Sequence, residues 1–165
     1  MKKHTYTKLK KSMKKHILSV LIGAAILVSS ASAQASPSDI KQLIDGQDYV
    51  FEAKSVMPMG GSARQLYSPY LLTITKDSTV ADLPYFGKNN TANNDEASTG
   101  IHFKSTKFSY SNKPGKKSWA ISIQVKDDGD GSQLYLRIYG DGSAALDVQS
   151  NSKDRISYNG FIRSR

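Results

Sequence analysis

The sequence predicts an all-β domain: an antiparallel β-sandwich or barrel-like meander of eight or nine short strands behind one short N-terminal helix. Three observations carry this expectation. From Tyr49 onward the apolar residues recur at every second position. The breaks between these runs are turns rich in Gly, Asp and Pro, spaced roughly every ten residues. The one stretch with helical spacing, residues 36–45, precedes all of them.

In that stretch Ser36 suits the cap, Pro37 the first helical position and Asp39 the reciprocal acid of a capping box. Ile40, Leu43 and Ile44 share a face, and Gly46 is placed to end the helix. Such a helix lies across one end or edge of a sheet. Strands are expected at 49–56, 70–75, 79–83, 101–103 and 107–111, then in a closing meander at 118–126, 133–139, 143–149 and 155–162. Trp119, Ile121 and Ile123, then Leu134, Leu136 and Ile138, then Leu146 and Val148 face one interior. Alternation of this kind marks antiparallel strands with one buried and one wet face, because a parallel sheet covered on both sides shows unbroken apolar runs. Gly129-Asp130-Gly131-Ser132 and Gly140-Asp141-Gly142-Ser143 repeat the same turn. Asp-Gly between alternating runs is a hairpin signal, since tight turns matching strand twist need positive φ. Between Gly87 and Gly100 the chain holds no large apolar residue and reads as a long loop without a core of its own.

Residues 1–33 read as an export signal. Lys14 and Lys15 precede an apolar run from Ile17 to Val28, and Ala31-Ser32-Ala33 supplies a small-x-small exit. Met13 is the favoured start, since the basic front follows it directly. The run is shorter than the roughly 20 residues a spanning helix needs. The expected product is one domain, 34–165, periplasmic or secreted, with no stable membrane anchor. Seven of the 23 basic residues and none of the 14 acids fall before Gln34, which leaves 16 against 14 and a net charge of +2. The high isoelectric point therefore belongs to the signal, and no basic patch points to nucleic acid. Without cysteine, stability rests on packing alone, and a lipobox is excluded.

Chemistry is sparse. Beyond the signal the single histidine is His102, flanked by Ile101 and Phe103, and no nucleophile elbow accompanies it. The acids sit in turns rather than on apolar faces, against a carboxylate pair. The run Asp127-Asp128-Gly129-Asp130-Gly131 resembles a calcium loop, yet Glu96 is the last glutamate, so the distant bidentate ligand is missing and a hairpin turn explains it. The expectation is no enzyme, no cofactor and no metal. Two aromatic features remain. Tyr135, Arg137 and Tyr139 form an outward row on one strand. Met57, Met59 and Arg64 stand on a flexible stretch that, with Tyr85 and Phe86, offers a ligand-binding rim beside the long loop.

Tyr49-Val50-Phe51-Glu52-Ala53, Gly60-Gly61 with Arg64-Gln65-Leu66, Leu83-Pro84-Tyr85-Phe86-Gly87, Gly100-Ile101-His102-Phe103 and Ile156-Ser157-Tyr158-Asn159-Gly160 occur in this order. The series resembles a family of exported proteins from Gram-negative gut-type bacteria, catalogued as a domain of unknown function. The resemblance covers nearly all of residues 34–165, with the Leu-Pro-Tyr-Phe-Gly block its most specific part. It implies an exported, mostly β domain and no particular activity. Asp77-Ser78-Thr79 also resembles an acceptor tripeptide for O-glycosylation in such bacteria.

The sequence thus points to an exported, non-enzymatic binding module for a small ligand or glycan, with Met57, Met59, Arg64, Tyr85 and Phe86 as ligand-binding residues. The alternative is a structural or protein-interaction component of the cell envelope that uses the Tyr135, Arg137 and Tyr139 face. Processing is open to a direct check. Ala31 and Ala33 suit the −3 and −1 positions, so the intact mass of the exported protein should correspond to a chain beginning at Gln34. A mass retaining Ile17 to Val28 would make the segment an anchor.

Overall fold

The computed structural model describes residues 36–87 and 100–165. Residues 1–35, on which the expected export signal and cleavage site fall, and residues 88–99 of the expected long loop lie outside the described residues. Helix α1, Pro37–Gly46, begins with the capping box written into the sequence: the Asp39 amide donates to the Ser36 hydroxyl at 3.3 Å, and the Ser36 amide to the Asp39 carboxylate at 3.1 Å. Gln47, not Gly46, takes the left-handed cap, with φ 49°, and its amide donates back to the Ile44 carbonyl. Ile40 and Ile44 are buried. Each such side chain contributes about 1.5–3 kcal/mol on leaving water, enough to hold a helix too short to persist alone.

Nine strands follow: β1 Tyr49–Pro58, β2 Arg64–Ile74, β3 Thr79–Pro84, β4 Gly100–Ser105, β5 Phe108–Pro114, β6 Ser118–Val125, β7 Gln133–Tyr139, β8 Ser143–Gln149 and β9 Ile156–Arg163. They form one antiparallel sheet in the order β4-β3-β2-β1-β9-β8-β7-β6-β5. The expected all-β fold is therefore a nearly closed barrel rather than a sandwich. Its free edges, β4 and β5, are consecutive in the chain. Following the antiparallel pairings from β1 in both directions shows that β4 and β5 run the same way. The chain passes from one edge to the other without reversing, and an odd number of strands can close on itself only with such a step.

The step is the Thr106-Lys107 bend, and Asp127 holds it. One carboxylate oxygen of Asp127 accepts the Ser105 hydroxyl, and the other accepts the amides of Thr106 and Lys107, both at 3.2 Å. Beside it the Lys126 amide donates to the Lys107 carbonyl at 2.9 Å. Backbone groups that leave a ladder need partners, and here one side chain from the end of β6 supplies them.

Across the barrel, β1 and β9 meet at a bulge between Ala53 and Ser55. Gly160 faces this point, and a Cβ there would run into the Glu52 carbonyl, so the strand glycine marks a close backbone approach. The interior is filled. Tyr49, Phe51, Leu72, Leu134, Leu136 and Tyr158 are all at most 2 % exposed within one continuous core. Tyr49 and Tyr110 join their hydroxyls at 3.2 Å.

Three differences from the sequence reading have local causes. Strand β2 starts at Arg64 because Arg64 and Gln65 pair with Val56 and Ser55 before four residues loop out of register; that interruption hides the strand from a period-two search. Strand β1 runs on through Met57 and Pro58, which pair with Ser157 and Ile156. Trp119 takes its interior-facing register but is only partly buried. In the Asp77-Ser78-Thr79 tripeptide, Thr79 is fully buried, while Ser78 sits in the β2–β3 turn bonded to Thr75.

The seam offers a test. The Ser105 hydroxyl above all, with the amides of Thr106 and Lys107, holds the Asp127 carboxyl below the usual carboxylate range against the opposing effect of desolvation. A lowered folded value contributes stability above the unfolded value, about pH 4, that is lost as pH falls through the folded one. Hydrogen exchange should therefore show the Thr106 and Lys107 amides losing protection in acid before those of β7, and Asp127→Ala should produce the same selective loss at neutral pH. Uniform exchange across the barrel in the variant would assign the bend no role in closure.

Candidate functional site

The two ends of the barrel are built differently. Helix α1 packs at the end where the β7–β8 turn and the last residues of β9 meet. Ile40 lies against Gly142, whose φ of 84° the tight turn requires, and Pro37 lies against Gly140. The opposite end carries the β6–β7 hairpin, the β8–β9 loop and the start of β4.

At that loop end two aspartates tie the loops together. Asp128 folds the hairpin around itself: its carboxylate accepts the amides of Asp130 at 3.2 Å, Gly131 at 2.9 Å and Ser132 at 3.1 Å. Asp130 ties the hairpin to the β8–β9 loop. Its carboxylate accepts the Ser152 amide at 2.9 Å and hydroxyl at 2.7 Å, and its carbonyl accepts the Asn151 amide at 3.0 Å. Partial burial opposes the charge of Asp130, but the Ser152 bonds and the Lys153 ammonium outweigh it and keep the carboxyl below its ordinary range. These oxygens, which resembled calcium ligands in sequence, are engaged as acceptors within the loops. Among the described residues no group of three or more His, Asp or Glu is arranged to hold a metal ion.

Between these loops and β4 lies a cleft of about 620 Å³. His102, Asp128, Asp130, Ser150, Ser152 and Lys153 present polar groups to it, with Ile101 and Val148 among its apolar lining. On the outer face of β3 and β4, His102 Nδ1 stands 2.9 Å from the Asp82 carboxylate, both side chains more than half exposed. This is two-thirds of a hydrolytic triad. The third member is missing: no serine hydroxyl among the described residues bonds to His102, whose Nε2 lies over Gly100.

The five residues singled out from sequence fall into three places. Met57 and Met59 are exposed and line a shallow depression of about 330 Å³ with Arg155 and Ser157. Arg64 stacks its guanidinium 4.9 Å from the centre of the Phe86 ring, which is 42 % exposed. Tyr85 is 6 % exposed and packs into the core; its hydroxyl donates to the Asp154 carbonyl at 3.3 Å, and Lys153 stands 5.8 Å from its ring centre. Burial raises the Tyr85 hydroxyl above its ordinary range. The Tyr158 hydroxyl donates to the Pro84 carbonyl at 2.7 Å, so two tyrosines close the core where β3 ends. Reading Tyr85 and Phe86 as a pair missed that alternation turns only one of them inward. The cleft itself had no sequence signal, because Asp130 and Ser152 are 22 residues apart.

The row Tyr135, Arg137 and Tyr139 does face outward, with both tyrosines more than 40 % exposed. Small neighbours in register, Ser122 beside Tyr135 and Ala120 and Ala145 beside Arg137, leave a shallow groove of about 500 Å³.

Residues 31–162 match the model of the family described as a domain of unknown function, DUF4251, and the chain belongs to that family. A crystal structure of a DUF4251 family protein from Bacteroides eggerthii DSM 20697 has a similar fold, with a TM-score of 0.63 and 17 % sequence identity over 79 % of this chain and 89 % of that one. At that identity the likeness concerns the fold alone. No curated protein matches the chain.

The two aromatics after Pro84 should separate under mutation. Tyr85→Ala removes a buried ring and a hydrogen bond and should lower stability by about 3–5 kcal/mol, as for other buried aromatics. Phe86→Ala removes an exposed ring and should cost about 1 kcal/mol or less. Urea denaturation of the two variants measures both, and equal losses would mean that Phe86 belongs to the core.

Proposed function

We propose that this protein is an exported, non-enzymatic binding module whose ligand, a small polar molecule or short glycan, sits in the loop-end cleft. The observation that carries this reading is the cleft's construction. The interior is filled with side chains, which leaves the surface as the place to bind. The loop end offers a recess of about 620 Å³, within the range of roughly 300–1,000 Å³ usual for small-molecule sites. Its walls are braced by the hydrogen bonds of Asp128 and Asp130, and a braced site loses less to ordering on binding. Lys153, His102 and Ser150 line it together with Asp128 and Asp130, whose carboxylate oxygens keep lone pairs beyond those taken within the loops, a mixed set suited to the paired donors and acceptors of sugar hydroxyls. Tyr85 and the Arg64–Phe86 stack adjoin this end, with Tyr85 linked to the cleft through Lys153 and Asp154.

A second reading, attachment to another envelope protein, draws on the outward row of Tyr135, Arg137 and Tyr139. Aromatic and arginine side chains are favoured as interface anchors.

A titration monitored by amide resonances distinguishes the two. With soluble glucose-, mannose- and N-acetylglucosamine-based oligosaccharides at millimolar concentration, the processed protein should show saturable shifts at Ile101–Phe103, Asp128–Ser132 and Ser150–Asp154. Lys153→Ala should weaken them roughly tenfold, the loss expected of a charge-assisted hydrogen bond. Absence of shifts throughout the panel rejects the glycan reading. Shifts confined to β7 on adding a solubilised envelope fraction favour the second.

A further inference from the structure

The other end of the barrel holds a recess of opposite character. Helix α1 packs over the opening at the β7–β8 turn and β9, where Ile40 and Pro37 meet Gly142 and Gly140. Between the helix and the β5–β6 turn a recess remains. That is why Trp119, which faces inward by alternation and pairs in register with Ile138 and Pro114, is only partly buried. Trp119, Tyr139 and Pro37 wall a groove of about 720 Å³ there. Lys41, Lys116 and Lys117 stand around it, with Asp141. Lys41 pairs with Asp45. Asp141 is taken up by the Ser143 amide at 2.9 Å and hydroxyl at 2.7 Å. Lys116 and Lys117 enter no ion pair among the described residues.

We propose that this groove binds a free amphipathic anion, an apolar chain or ring carrying a carboxylate, sulfonate or phosphate group. The apolar body would lie along Trp119, Tyr139 and Pro37, and the charged head would meet the ammonium groups of Lys116 and Lys117. Charge complementarity selects the sign: even with Asp45 and Asp141 counted, the rim is net positive. Concavity selects a free molecule over a bilayer. The apolar residues at this end line a recess, whereas docking on a membrane surface calls for apolar side chains that project into the acyl boundary. The groove is separate from the loop-end cleft, lying at the opposite ends of the same strands, so neither proposal depends on the other.

Trp119 is the chain's one tryptophan, so its fluorescence reads this groove alone. Decanoate, titrated below its micellar concentration into the processed protein, should change Trp119 emission saturably. Decanol and decyltrimethylammonium should bind roughly tenfold more weakly, and so should decanoate to the Lys116→Gln/Lys117→Gln double variant, the factor expected for losing a charge-assisted contact. Both lysines are exposed, and an unchanged thermal midpoint of the variant assigns the loss to charge. Equal affinity for decyltrimethylammonium, no saturable response to decanoate, or a response only to phosphatidylglycerol vesicles would each overturn the proposal.

Discussion

Closure of the barrel turns on one bend, held by one carboxylate. Nine strands paired antiparallel cannot close in a simple up-and-down meander, because the first and last would run the same way. This chain resolves the parity at Thr106-Lys107, where β4 continues into β5 in one direction while its hydrogen-bonding partner changes from β3 to β6. The bend takes amides out of their ladders, and Asp127 receives them. Edge strands are where a sheet recruits foreign strands. Here the two edges are joined in the chain through a bend whose amides are satisfied.

Closure has a consequence for function. Once the sheet wraps around Tyr49, Phe51, Leu134, Leu136 and Tyr158, the interior is full. On the proposed binding reading, recognition is then left to the rims and the outer face, and the rims differ. At the loop end, carboxylates consume the free amides of two turns and leave a polar, braced cleft. At the helix end, a ten-residue amphipathic helix covers part of the opening and leaves an indole and a phenol beside lysines. The chain thus carries two recesses of contrasting chemistry on one rigid scaffold.

Much of the fold was legible residue by residue. The bounds of β7 and β8 follow from strict alternation between Asp-Gly turns, and the Ser36–Asp39 capping box appears as its spacing implies. Legibility failed where the pattern is interrupted. Strand β2 conceals its first residues because four positions leave the register, one of them Tyr67, which is 96 % exposed. Of the rim residues named from sequence, Tyr85 turned inward and Phe86 outward, as period two requires once β3 reaches Pro84. Their neighbours Met57 and Met59 went to a separate depression because β1 continued along β9 instead of entering a loop.

The sequence by itself determined what depends on near neighbours along the chain: alternation of faces, the helix and its cap, the hairpin turns and the all-β class. These follow from side-chain period and backbone preference within a few residues. Only the tertiary structure decided barrel over sandwich, the partial cover that α1 gives to Trp119, and the cleft. Each rests on contacts between distant positions, Asp127 with Ser105, Asp130 with Ser152 and Ile40 with Gly142. An aspartate in a turn reads the same whether it caps its own loop or braces another, and the closing of the sheet brings the second partner within reach.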